Sequence, residues 1–116
     1  LNPNGSFPKN DHRTFNSDGQ CFNVGETFAG IPFNIGLDIV EELTKMIPEG
    51  MTLAQMSLRW ILDFDAVTVV IPGSKSPLQI PDNASASHLP SLSKSLHEKL
   101  SIFYDAKIVQ HIRGKY

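Results

Sequence analysis

The segment from Val67 to Asn83, Val-Thr-Val-Val-Ile-Pro-Gly-Ser-Lys-Ser-Pro-Leu-Gln-Ile-Pro-Asp-Asn, constrains this chain more than any other. Residues 67–71 are a β-branched run in which polar and apolar positions do not alternate, and this pattern predicts a strand buried on both faces. Pro72 and Gly73 end that strand. Ser76 followed by Pro77 predicts a helix N-cap with proline at the first helical position, where its missing N–H costs nothing. A strand would then deliver a short loop onto a helix N-terminus, a junction whose backbone N–H groups and macrodipole favour an anion. Ser74 and Lys75 add a hydroxyl and a positive charge at the same spot. A Gly-Ser-Lys turn between a strand and a helix also occurs where nothing is bound, and local chemistry leaves both readings open.

The flanking sequence is helical in pattern. Ile35, Ile39, Val40, Leu43 and Ile47 fall on one face of a helix predicted over 34–47, which Pro48-Glu49-Gly50 terminates. Thr52 with Gln55 three residues on is a capping-box signature for a second helix running to about Phe64. Arg59 within it is expected to form a salt bridge or to snorkel along the surface rather than to take part in chemistry. A third helix is expected from Pro77 to Ser87. Pro81 interrupts it, at a cost of about 3 kcal/mol in a regular helix, so the helix should bend or split and turn Asn83 out of register with Gln79. A last helix should start near the N-cap candidate Ser93, with Leu96, Leu100 and Phe103 as its apolar stripe. Residues 1–32, rich in Gly, Pro, Asn and Asp, read as a long irregular loop. Arg13, Phe15, Phe22 and Phe28 there either line a pocket or simply anchor the loop.

The stretch Met51-Thr-Leu-Ala-Gln-Met-Ser-Leu-Arg-Trp-Ile-Leu-Asp-Phe-Asp-Ala-Val-Thr-Val-Val-Ile-Pro-Gly-Ser-Lys-Ser-Pro is similar to the C-terminal region of aldo-keto reductases. In that family an Ala-Gln-x-x-Leu-Arg-Trp helix precedes the last barrel strand, an Ile-Pro-Gly loop and a Pro-x-Gln-x-x-x-Asn helix. The three motifs stand here in the same order and at the same spacing. The resemblance covers about residues 7–110 and is strongest over 52–83. Asn10-Asp11-His12-Arg13 and Val24-Gly25-Glu26-Thr27-Phe28 also resemble the long loop that bacterial-type members carry after their seventh strand.

The resemblance implies an α/β chain holding the C-terminal portion of a (β/α)₈ TIM barrel, mostly helical with one barrel strand at about 67–71. Residues 1–32 would be a long loop and 33–116 the last helices, last strand and C-terminal helix of an NADP-dependent oxidoreductase domain. It implies NADP(H) as cofactor, with Gly73, Ser74, Lys75, Gln79 and Asn83 as cofactor-binding residues, and a small-molecule carbonyl substrate for the complete enzyme. No catalytic residue is assigned here, because the family's Asp, Tyr, Lys and His lie on earlier strands. A barrel takes about 250 residues and this chain has 116, so it reads as a fragment of such an enzyme. The alternative is a non-catalytic remnant or interaction module.

Charge and cysteine content narrow the partners. Ten basic residues against twelve acidic ones give a net charge of −2, which offers no basis for general binding to nucleic acid or an anionic membrane. The single cysteine, Cys21, excludes an internal disulfide framework, and no metal-ligand spacing surrounds it. Neither a signal-peptide shape nor an apolar run of membrane-spanning length is present, in keeping with a cytoplasmic protein.

Overall fold

A computed structural model describes residues 6–16 and 28–112. Cys21, Phe22, the Val24–Thr27 part of the loop motif, the Phe28 side chain and the tail from Arg113 lie outside the described residues. Five α-helices are present among them: α1 (His12–Phe15), α2 (Phe33–Thr44), α3 (Leu53–Leu62), α4 (Gln79–Ser85) and α5 (Lys94–Lys107). The chain divides into two compact units, one of residues 1–42 with 101–116 and the other of residues 43–100.

In the first unit the described part of the loop at residues 6–16 is held by local bonds. Asp11 caps α1, its carboxylate accepting from the Arg13 backbone N–H at 3.0 Å. The same carboxylate takes the Arg13 guanidinium in a two-pronged pair, Nε at 2.9 Å and Nη2 at 2.6 Å. That guanidinium lies 4.0 Å over the Phe7 ring, which in turn meets Phe33 edge-on at 5.5 Å. Hydrogen bonding to Asp11 raises the Arg13 pKa above its ordinary value. Arg13 is thus engaged as a local anchor, and Phe15 is half exposed.

The second unit is built on local stop and start signals. Gly50, at φ +81°, occupies the third position of a turn closed by Met51 N–H donating to the Pro48 carbonyl at 3.2 Å. Thr52 and Gln55 then form the full capping box: Gln55 N donates to Thr52 Oγ1 at 3.2 Å and Thr52 N to Gln55 Oε1 at 2.9 Å. Ser93 caps α5, its Oγ accepting from Leu96 N at 3.2 Å. α3 packs on α4 and on the 3₁₀ turn Ala86–His88. The small core of this unit consists of Met56, Ala86 and Leu92.

Two expectations are corrected in this unit. Residues 67–71 form no strand, and no β-strand occurs among the described residues. A strand exists only as a pair, since its backbone groups need a neighbour to bond; here Ile71 is 89% and Val69 68% exposed. The β-branched pattern encodes a buried strand, but no second strand pairs with it among the described residues. The second correction concerns Pro81. α4 starts at Gln79, after a turn in which Gln79 N donates to Ser76 O at 3.1 Å, with Leu78 rather than Ser76 at the N-cap. Pro81 therefore falls in the first turn, where an N–H has no intrahelical acceptor, and α4 runs through it without a break.

Candidate functional site

The residues singled out by sequence converge in the second unit, between the end of the extended segment and α4. Val67 N–H donates to Phe64 O at 2.8 Å, and the chain continues without regular structure to Ser74. From α4, Gln79 reaches back so that its Oε1 accepts from Lys75 N at 2.6 Å and Ser76 N at 3.2 Å. One turn further on, Asn83 Nδ2 donates to Ser74 Oγ at 3.2 Å. Gln79 and Asn83, four residues apart on one helix face, therefore grip the Ser74–Ser76 loop at adjacent points. Asn83 is in register with Gln79, contrary to the expectation built on Pro81.

This grip changes which groups face outward. The Lys75 and Ser76 N–H groups, which the sequence offers to an anion, are already satisfied by the Gln79 amide. What the loop can offer an anion is therefore limited to the side chains of the exposed Ser74 and Lys75. Ser74 Oγ accepts from Asn83, which leaves the hydroxyl hydrogen to donate elsewhere. Apart from its chain neighbours, nothing among the described residues lies within 4 Å of where a Cβ on Gly73 would stand, so the loop is open on that side. Beside it a groove of about 610 Å³ is lined by Leu58, Leu62, Val70, Ile80 and Asn83 together with Ser74. A hydroxyl, an ammonium and an open approach form a donor set that fits a phosphate group.

A second cluster, centred on Asp63 at the C-terminus of α3, was not foreseen. Its side chain, only 7% exposed, accepts from Arg59 Nε at 3.0 Å, Leu92 N at 2.8 Å and His97 Nε2 at 3.0 Å. His97 also stacks on Trp60 at 6.4 Å and meets the Phe64 edge at 5.9 Å. Burial works against the Asp63 charge, but the hydrogen bonds from His97, Leu92 N–H and Ser91, with the nearby Arg59 charge, outweigh it and hold the carboxyl below its ordinary range. A carboxylate at a helix C-terminus opposes the macrodipole, so this arrangement depends on those donors. The Arg59–Asp63 spacing of four was the only signal in the sequence. His97 and Leu92 lie 34 and 29 residues away, beyond the reach of any local pattern.

A family model described as the aldo/keto reductase family matches residues 4–105, a span that includes both clusters. The chain belongs to the aldo/keto reductase family. Neither the curated proteins nor the solved structures give a significant match. Members of this oxidoreductase family use a nicotinamide cofactor and fold as (β/α)₈ barrels, so the helices of this aldo/keto reductase chain are pieces of that architecture. With 116 residues against the roughly 250 of such a barrel, the chain does not close one alone. Among the described residues no helix is long and apolar enough to cross a membrane, and no group of three His, Cys, Asp or Glu could hold a metal ion.

Proposed function

We propose that this chain carries the site for the adenosine 2′-phosphate of NADP(H), as part of an enzyme that reduces aldehydes or ketones to alcohols. The observation that supports the reading is the set of bonds tying Ser74 to Asn83 and Lys75 and Ser76 to Gln79. In this reading Ser74 donates its hydroxyl hydrogen and Lys75 its ammonium to the phosphate. Gln79 and Asn83 hold the loop so that these donors need not be ordered on binding. Gly73 leaves the approach clear. The nicotinamide, when bound, supplies the hydride; the residues of this chain bind and orient the cofactor, and none is given a proton-transfer role. The small-molecule carbonyl substrate and the cytoplasmic setting belong to the same proposal.

The test is a calorimetric titration of the chain and its Lys75→Glu variant with NADPH and NADH. A charge-assisted bond to phosphate contributes about 1.5–3 kcal/mol, so the variant should bind NADPH at least about tenfold more weakly. NADH, which lacks the 2′-phosphate, should be nearly unaffected. Equal losses for the two nucleotides would refute the assignment of Lys75.

A further inference from the structure

One side chain joins the capping of α3 to the placement of α4. Gln55 Oε1 accepts from Thr52 N at 2.9 Å as its half of the capping box, while Nε2 donates to both Asp82 Oδ1 and Ser85 Oγ, each at 2.9 Å. Both hydrogens of the amide are thereby used across 27 and 30 residues of sequence. Ser85 Oγ in turn donates to the Asp82 carbonyl at 2.7 Å, so its lone pairs face Gln55. Asp82 and Ser85 are three apart on α4 and share a face. The same seven-residue helix carries Gln79 and Asn83, the two side chains that hold the Ser74–Ser76 loop.

We infer that Gln55 is a positioning residue for that loop: it sets the seat of α4 on α3, and through Gln79 and Asn83 it sets where Ser74 and Lys75 stand. The inference rests on the proposed phosphate site for its functional meaning, but its structural half stands apart from any ligand. Capping alone asks for an acceptor at this position, and Glu serves it as well as Gln. Donating to Asp82 asks for the amide. Gln55→Glu therefore keeps the cap and replaces the bridge with two carboxylates facing each other, whereas Thr52→Ala removes the Thr52 side-chain cap and leaves the bridge intact.

Amide hydrogen exchange followed by NMR on the full chain reads the loop directly, because the Lys75 and Ser76 N–H groups owe their protection to Gln79 Oε1. Gln55→Glu should speed exchange at these two amides by about tenfold or more, the worth of one hydrogen bond to a charged group, with much less effect on the amides of α3. Thr52→Ala should show the reverse. Adding Asp82→Asn to Gln55→Glu recreates a donor–acceptor pair with its direction reversed and should restore protection. Titration with 2′,5′-ADP should follow the same order, weakest for Gln55→Glu and recovered in the double variant. Unchanged Lys75 and Ser76 exchange in Gln55→Glu, or no recovery in the double variant, would overturn the inference. If Gln55→Glu exchanges uniformly as an unfolded chain, Ser85→Ala decides: selective loosening at Lys75 and Ser76 supports the positioning role, and none overturns it. Exchange that follows the expected order while the unaltered chain fails to bind 2′,5′-ADP would remove the cofactor reading and leave the positioning role standing.

Discussion

Replacing Asp63 should cost the second unit much of its stability, and the amount follows from what the carboxylate holds. In Asp63→Ala the Arg59 guanidinium, whose side chain is only 13% exposed, loses its counter-ion and keeps only long contacts to the Ser87 and Leu89 carbonyls at 3.4 and 3.5 Å. Removing one member of a fully buried pair costs about 3–5 kcal/mol, an upper bound for this partly buried one, and orphaning the Leu92 N–H adds about 1–3 kcal/mol where water cannot replace the acceptor. Water reaches part of His97, so we expect a loss near the lower end of that sum, about 4 kcal/mol, against the roughly 5–15 kcal/mol of a whole domain. Asp63→Asn keeps one acceptor oxygen but turns an amide donor toward another donor, and should cost about 2 kcal/mol.

The pH dependence separates this account from a simple packing defect. The folded carboxyl is held below its unfolded value of about 3.9. Its contribution is therefore complete above the unfolded value and is lost as pH falls through the lower folded value. The gap between the unaltered chain and Asp63→Asn should be full at pH 7 and close progressively below about pH 4. Urea unfolding followed by fluorescence of Trp60, the single tryptophan, measures it beside the cluster, since Trp60 packs on Phe64 and His97. A destabilisation under about 0.5 kcal/mol, or one unchanged between pH 7 and pH 3, would refute the reasoning.

Two backbone predictions test the corrected local structure. Pro81→Ala should be neutral or destabilise by up to about 1 kcal/mol in thermal unfolding, through the looser unfolded chain; a gain approaching 3 kcal/mol, about the cost of a mid-helix proline, would place Pro81 inside the helix after all. Gly50→Ala should cost about 1 kcal/mol in urea unfolding, because alanine must adopt a left-handed backbone. The space around Gly50 is open, so a loss well beyond that would mean a steric clash that the geometry does not contain.

Features decided within a few residues were legible in the sequence. The Thr52–Gln55 box and the Ser93 cap each need only a side chain and a backbone group three positions away, and the Pro48–Gly50 turn needs only a backbone pair at the same distance. Such bonds form wherever the local chain is helical or turned, whatever surrounds it. Ser74 and Lys75 of the candidate cofactor site were marked by the residues themselves, and Gly73, Gln79 and Asn83 through the family resemblance. What the sequence could not settle were the matters that depend on a distant partner. Residues 67–71 have the composition of a buried strand, yet a strand's backbone bonds come from neighbouring strands, and none pairs with them among the described residues. Pro81 is harmless or disruptive according to where α4 begins, and that start lies at Gln79, whose side chain is spent on the Lys75 and Ser76 N–H groups. The reach of His97 to Asp63, and of Gln55 to Asp82 and Ser85, spans about thirty residues. Only the folded chain brings those groups within hydrogen-bond distance, because closing such a loop costs entropy that local pattern cannot offset and the packing of α3 on its neighbours can.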